Sequence, residues 1–392
     1  MKKSKDSFEN NKIKVPFFLP YISDRDVKEI QKALKSPLLT DGPVLREFEK
    51  RFALMTGSKY AVGVSNGTSA LHLALKSIGI KPNDEVIIPD LTFVATASAV
   101  SLLGATPVFA DVLEDDMNIS SDSILKNITK KTRAIIPVHL AGKPCNMFEI
   151  RKIAKKFNLT IIEDCAHAIG SKYRDKHVGN FGSAGCFSFY PTKNITTVEG
   201  GMIITNSKKI ADSIRILRNH GITKTLEERY HKGKPWEYDV KIPGYNYRLD
   251  EIRSALGISQ LQNLQRLNNL RKKAVTHYNL NLNKIKGVKI SKLSKGNVDS
   301  YHLYIVQITN EYGISRDELF RKLLKEGIRT SVHYKPVHKF SAFKKIGKTY
   351  DELRNSKLLY ERIISLPLYP QITKEELDFV INCIKKYADK TI

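Results

Sequence analysis

Acidic residues are in short supply in this chain: 392 residues carry 65 Lys and Arg against 40 Asp and Glu, a formal net charge of +25. Nucleic acid, a membrane surface or an anionic small molecule could each answer such a charge. The basic residues are scattered in short clusters (130–133, 151–156, 271–273) without the concentration a dedicated nucleic-acid module shows. They read as a solvated lysine-rich surface that draws anionic substrates, with no specific nucleic-acid partner expected. Cysteine is scarce too. Cys145, Cys165, Cys186 and Cys383 have no C-x-x-C spacing, which argues against a zinc site and against a disulfide scaffold, so no metal is expected. The basic, polar N-terminus has no apolar h-region, so no secretory signal is expected and the reading is cytoplasmic. Residues 91–110 lack charge, but Thr92, Thr96, Ser98, Ser101 and Pro107 interrupt them. A helix followed by a short strand fits that stretch better than a membrane span. Low-complexity tracts and internal repeats are missing as well.

Hydrophobic residues at 41% and charged residues at 27% are ordinary for a globular protein, and the length allows a large domain plus a smaller one. Residues 1–15 read as a flexible arm. Apolar spacing predicts helices over 24–36 and 44–56. From Tyr60 onward short β-rich runs alternate with helices: AVGVS, EVIIP, TPVFAD, RAIIPV, LTIIE, GCFSF and GMIIT. That pattern predicts an α/β domain with a large mixed, mainly parallel buried sheet over 16–255. Ile258, Leu261, Leu264, Leu267 and Leu270 then recur every third residue, which suits a buried connector helix. Beyond Ser300 the run YHLYIVQIT, a helix, a strand over 329–334 and a final helix from Glu375 predict a smaller α+β domain, giving 256–392 with the connector.

Three segments carry candidate chemistry. Ser65-Asn66-Gly67-Thr68-Ser69 joins a strand to a helix, where free N–H groups and hydroxyls could cradle a phosphate. An ordinary N-cap explains the same residues. Glu163-Asp164-Cys165-Ala166-His167 follows a strand, where ligands of open sheets bind. A capping Asp and a satisfied His would look alike. FSFYPTKNITTVEGGMI holds Lys193 with Glu199 as its one other charge. Such surroundings lower an amine's pKa and favour a Schiff base, although a lone lysine is ordinarily a surface group. The order of the segments decides more than any one of them. Phosphate loop, acid and lysine on strands of one sheet match what pyridoxal 5'-phosphate needs: a helix N-terminus, an anion for the pyridinium and an amine for the aldehyde.

The chain resembles the DegT/DnrJ/StrS family of sugar aminotransferases, from about Val15 to the C-terminus. The segments that carry the likeness include LLTDGPVLREFEKRF, VSNGTSALHLAL, VIIPDLTFVAT, IIPVHLAGKP, EDCAHAIGS, FSFYPTKNITTVEGG, LRNHG, GYNYRLDEIRSALG, VHYKPVH and LPLYP. The resemblance implies the type I, aspartate-aminotransferase-like fold and pyridoxal phosphate as cofactor. It implies that Lys193 is the Schiff-base lysine, Asp164 pairs with the pyridine nitrogen and His167 touches the phenolic oxygen or the ring. Phe93 would stack on the ring, and Gly67, Thr68, Ser69 and Ser188 would hold the phosphate. Asn246 would reach the phosphate from the neighbouring subunit of a homodimer, and His333 and Tyr334 would lie near the sugar nucleotide. The implied reaction moves an amino group from an amino acid, usually L-glutamate, to a nucleoside-diphosphate keto-sugar, aminated at carbon 4 rather than carbon 3, for glycan biosynthesis. Three positions depart from the family's usual residues: Val198 for Gly, Asn66 for Ser, and Ala141 for a bulkier side chain. Two rivals share the fold, a sugar dehydratase with histidine in place of the lysine and a non-catalytic regulator. The presence of both Lys193 and Asp164 argues against each.

Overall fold

The seven β-rich runs between Tyr60 and Thr205 assemble into one sheet. A computed structural model describes residues 13–223, 236–291 and 296–388. Within them the runs become β1 (Tyr60–Val64), β2 (Glu85–Pro89), β3 (Thr106–Ala110), β4 (Thr132–Ile135) and β5 (Thr160–Asp164). A two-stranded hairpin, β6 (Lys172–Tyr173) and β7 (Lys176–His177), precedes β8 (Ala184–Ser188) and β9 (Gly201–Thr205). The spatial order is β1-β9-β8-β5-β4-β2-β3. Only β9 runs against its neighbours, β1 and β8. The sheet is therefore mixed and mainly parallel, and both faces are covered.

Alternation along the strands decides which core each residue enters. Val86, Ile88 and Ile203 pack on one face with the helix Gly67–Ser77, whose Ala70, Leu73 and Ala74 are buried. Met202 and Ile204 face the other way, with Phe48, Phe52, Phe187 and Phe189. Ile87, Val108, Ile135 and Ile161 share that side with Met147, Ile150 and Ile153 from the helix Met147–Lys156. The uncharged stretch 91–110 divides as expected into the helix Ala95–Ser101 and β3. Among the described residues no helix is long and apolar enough to cross a membrane.

The helix Glu251–Leu282 spans 32 residues, about 48 Å at 1.5 Å per residue. A three-residue repeat turns back by about 60° per step on a helix of 3.6 residues per turn. That drift spreads the leucines around the axis: Leu264 and Leu267 pack near the large sheet, while Ala274, Val275, Tyr278 and Leu282 enter a second core. This second core lies on the antiparallel sheet β10 (Val288–Ile290), β11 (Tyr304–Ile308) and β12 (Ile363–Leu366).

Two expectations need correction. Residues 329–334 are not a strand; Ser331 makes a single bridge to Ser365 and the chain then leaves the sheet. The sheet's third strand is instead β12, a buried four-residue run directly after the helix Arg354–Arg362, with no turn residue to announce it. The arm expected over 1–15 also ends earlier. Residues 1–12 lie outside the described residues, but Val15 is 1% exposed and pinned between Gly327 and Arg329 by hydrogen bonds of 3.1 and 3.0 Å.

Candidate active site

The carboxyl ends of β1, β2, β5 and β8 converge on one cleft, because parallel strands all discharge their loops at the same edge of the sheet. Asp164 ends β5 and is 5% exposed. Its Oδ2 accepts the Thr96 hydroxyl at 2.9 Å and its Oδ1 accepts the Ala166 N–H at 3.1 Å. Burial pushes this carboxyl up, while the Ala166 and Thr96 donors and the Lys193 charge pull it back. A carboxylate held by neutral donors in a dry site favours a cationic partner.

Glu163, its neighbour on β5, points to the opposite face. There it is fully buried and accepts four donors: Phe181 N (2.6 Å), Gly182 N (2.7 Å), Gly179 N (2.7 Å) and His139 Nε2 (3.1 Å). His139, Glu163 and Cys165 lie close enough together to suggest a metal. Glu163 is already saturated with donors, however, and burial holds the Cys165 thiol far above its usual range. The group reads as a structural knot. Glu163→Ala would strand the buried Gly179 N–H and the part-buried Phe181 and Gly182 N–H groups, at about 1–3 kcal/mol each. The urea midpoint of this variant is expected to fall by an amount equivalent to at least about 3 kcal/mol. An unchanged midpoint would show the knot to be slack.

Lys193 lies in the turn between β8 and β9, its N–H bonded to Tyr190 O at 2.9 Å. It is half-buried, and protein atoms around the amine pull its ammonium down to about 8, with Asp164 pulling the other way. Asn194 anchors the turn from below. Its amide donates to Asn268 Oδ1 (2.7 Å) and Ser300 O (2.6 Å), and its carbonyl faces His302 Nδ1 at 3.1 Å. Val198, further along the turn, sits at φ 68° and is 61% exposed. That is left-handed backbone where a β-branched residue is strained and glycine is at ease.

His167 is 5% exposed and neutral, because burial and the Lys193 charge hold its pKa well down. Its Nδ1 receives the Ala141 N–H at 3.3 Å. The ring proton is thereby assigned to Nε2, which donates to the Tyr334 hydroxyl oxygen at 3.1 Å. Tyr334 thus keeps its own hydrogen for another acceptor. Tyr334 also lies 5.8 Å from the ring of Phe93, which is 55% exposed on the loop after β2. His333 bonds Ser365 Oγ at 2.8 Å, and burial together with Lys193 holds it at about 4.

At the end of β1, Asn66 caps the helix Gly67–Ser77. Among the described residues the Gly67 and Thr68 N–H groups have no protein partner. A Cβ at Gly67 would stand 2.8 Å from the Cβ of Ser188, so only glycine lets the Ser188 hydroxyl close on this helix end. Ser69 completes the cap: its N–H bonds Asn66 Oδ1 (2.8 Å) and its hydroxyl bonds Asn66 O (2.8 Å). Asn246 is exposed, next to Tyr247, whose carbonyl accepts the Ser65 N–H at 2.9 Å.

These residues fit pyridoxal phosphate: a buried acid for a ring cation, an amine of lowered pKa, and a glycine–serine cradle at a helix N-terminus. The family model of the DegT/DnrJ/EryC1/StrS aminotransferases matches residues 20–385. The chain belongs to this family. It is 38% identical to the spore coat polysaccharide biosynthesis protein SpsC of Bacillus subtilis, over 95% of this chain and 96% of that one. It superposes on the putative sugar aminotransferase Spr1654 of Streptococcus pneumoniae in its PMP form, with TM-score 0.89 and 31% identity over 96% of this chain and 100% of that one. The PLP form of Spr1654 gives TM-score 0.87, with 31% identity over 96% of this chain and 99% of that one. DesI, solved in the presence of its TDP-sugar product, gives TM-score 0.85 and 29% identity over 94% of this chain and 91% of that one. The chain is therefore a pyridoxal-phosphate-dependent sugar aminotransferase with the type I fold.

Thr96, Asn194 and His302 were not singled out from sequence. The polar residues interrupting 91–110 and the asparagine directly after Lys193 were the available signals for the first two.

Proposed function

We propose that the enzyme transfers an amino group from L-glutamate to a nucleoside-diphosphate-linked keto-sugar, aminated at carbon 4 rather than carbon 3, for amino-sugar and glycan biosynthesis. The observation that carries this reading is that the sheet order sets buried Asp164, at the end of β5, beside β8, whose following turn holds Lys193. The nucleotide carrier rests on likeness to DesI, whose product is a TDP-sugar.

In this reading Lys193 would hold the cofactor's aldehyde, Asp164 would pair with its ring nitrogen, Phe93 would stack on the ring and His167 would touch the phenolic oxygen or the ring. Gly67, Thr68, Ser69 and Ser188 would hold its phosphate, Ser69 also serving the cap. Pyridoxal phosphate, when bound, supplies an electron sink for the carbon that loses a proton. Lys193 Nζ takes the proton from the donor's alpha carbon and later delivers one to the sugar carbon. An ammonium near 8 is suited to both tasks near neutral pH, since each form is populated. Anionic Asp164 keeps a proton on the ring nitrogen. His167, locked in one tautomer, orients Tyr334 so that its hydroxyl hydrogen can serve an acceptor in the cleft. His333 and Tyr334 are assigned to the sugar side.

We further propose a homodimer in which Asn246 reaches the partner's phosphate site. Trp236, Tyr238, Val240 and Ile242 alternate just before Asn246 and are 41% to 74% exposed, an apolar row suited to a partner face. Sedimentation velocity at the mass of a monomer would remove that support. We read 16–255 as the cofactor domain and 256–392 as the small domain with its connector. The four buried, unpaired cysteines suit a reducing cytoplasm.

A panel of UDP-, GDP- and dTDP-linked 3-keto and 4-keto sugars with L-glutamate tests the substrate, following 2-oxoglutarate. A 4-keto nucleotide sugar is expected to lead by at least about a hundredfold, roughly 2.7 kcal/mol. A free keto-sugar or a 3-keto sugar in first place would overturn the assignment. The lysine gives a separate expectation. Only the neutral amine attacks an aldehyde, so pyridoxal phosphate should bind covalently to the apo-enzyme faster as pH rises, with a midpoint near 8. Stopped-flow absorbance would read it, and a rate still climbing above pH 9.5 would indicate an ordinary solvated lysine.

A further inference from the structure

Residues 331–340 form a strap that leaves the three-stranded sheet, carries His333 and Tyr334 past the cleft, and ends on the large sheet. One end is tied to β12: Ser331 and Ser365 exchange backbone hydrogen bonds of 3.1 and 2.8 Å. The other end is held in two ways: Val337 is buried in the core of the large sheet with Phe340 packed beside it, and the backbone is bonded to Asp90, which follows β2 and is completely buried. The Asp90 carbonyl accepts the Val337 N–H at 2.8 Å. Its Oδ1 accepts the His338 N–H at 3.0 Å, and its Oδ2 meets His338 Nδ1 at 2.6 Å. Asp90 is itself fixed, since its N–H bonds Ala110 O on β3 at 2.9 Å. His338 is different, with a side chain still 22% exposed. The pair therefore joins a rigid buried anchor to a replaceable tie. Between the two ends lies Tyr334, whose hydroxyl oxygen accepts a hydrogen bond from His167 Nε2 at 3.1 Å.

We propose that the Asp90–His338 pair is a latch that sets the position of Tyr334 and, through it, of His167, which makes His338 a positioning residue for the reaction. His338 bonds Asp90 and not the residues assigned to the cofactor, so its effect reaches the cleft only through the strap. This inference rests on the reading of Tyr334 and His167 as lining the reacting site. Asparagine places an amide N–H close to where imidazole Nδ1 stands, so His338→Asn can keep the tie that His338→Ala removes.

The test uses the holoenzyme of wild type, His338→Ala and His338→Asn, with L-glutamate as the probe. Cofactor absorbance in single turnovers gives the apparent Kd and limiting rate, and hydrogen–deuterium exchange reads the amides of residues 333–338. His338→Ala is expected to raise the apparent Kd by about tenfold, with the limiting rate changed less, since a strap that no longer holds Tyr334 in place loses contact with the bound donor while the lysine that moves the proton is untouched. It should also speed exchange in the strap by about tenfold. His338→Asn should restore both to within about threefold of wild type. An alanine variant that only melts earlier, with Kd and strap exchange unchanged, overturns the latch, and so does an asparagine variant no better than alanine. Should wild type show no absorbance change with L-glutamate, the donor assignment fails, and the exchange comparison alone decides the latch.

Discussion

Replacing Lys193 with alanine is expected to abolish turnover, by at least about four orders of magnitude, or roughly 5.4 kcal/mol of barrier. The loss is large because one amine serves two purposes that nothing nearby can assume. It anchors the cofactor, and it moves the proton in both halves of the reaction. The neighbouring bases are poor substitutes. His167 and His302 are committed to Ala141, Tyr334 and Asn194 through hydrogen bonds, and burial keeps both from holding a proton at neutral pH. Borohydride followed by mass spectrometry of the intact chain separates the two roles of Lys193. Wild type should gain the mass of the reduced cofactor and the variant should not. Partial rescue of the variant by a small primary amine in solution would show that the missing group is an amine and not a fold element. A variant with wild-type turnover, or one still fixing the cofactor on reduction, would sink the assignment.

Much of the site was readable from the sequence because its residues lie at strand ends, and strand ends are marked by where apolar alternation stops. Asp164 and Lys193 each stand at such a stop, on β5 and just past β8. What escaped was long-range pairing. Thr96 meets Asp164 across 68 positions, and His302 meets Asn194 across 108, which no local pattern can announce. Ser69 is legible in two ways, since a serine three residues into a helix completes a capping box as readily as it meets a phosphate, and here it makes two bonds to Asn66. The strand expected over 329–334 failed because its alternation belongs to a strap whose polar residues face the cleft and the β12 edge. Two of the three departures from the family's usual residues fall on left-handed backbone, Ala141 at φ 59° and Val198 at φ 68°. The third, Asn66, takes the cap that serine would otherwise provide.

Asp164→Asn should leave the protein folded and able to bind its cofactor, yet slow it by about a thousandfold, roughly 4 kcal/mol. The local hydrogen bonds explain why this change removes charge and little else. An asparagine carbonyl can go on accepting the Ala166 N–H. Its amide would then face Thr96, whose hydroxyl can turn to accept it and donate to Thr92 Oγ1, 3.0 Å away. What disappears is the anion that keeps a proton on the ring nitrogen, and with it the ring's capacity to draw electrons from the reacting carbon. A second consequence is readable without turnover. The Asp164 charge raises the Lys193 pKa against the effect of burial. Its removal should therefore move the pH midpoint of cofactor attachment in the apo-enzyme below the wild-type value near 8. The direction matters, because a merely disordered site would let water reach the lysine and shift the midpoint upward instead. A variant that keeps the wild-type rate and shows no downward shift would separate Asp164 from both the ring nitrogen and the lysine.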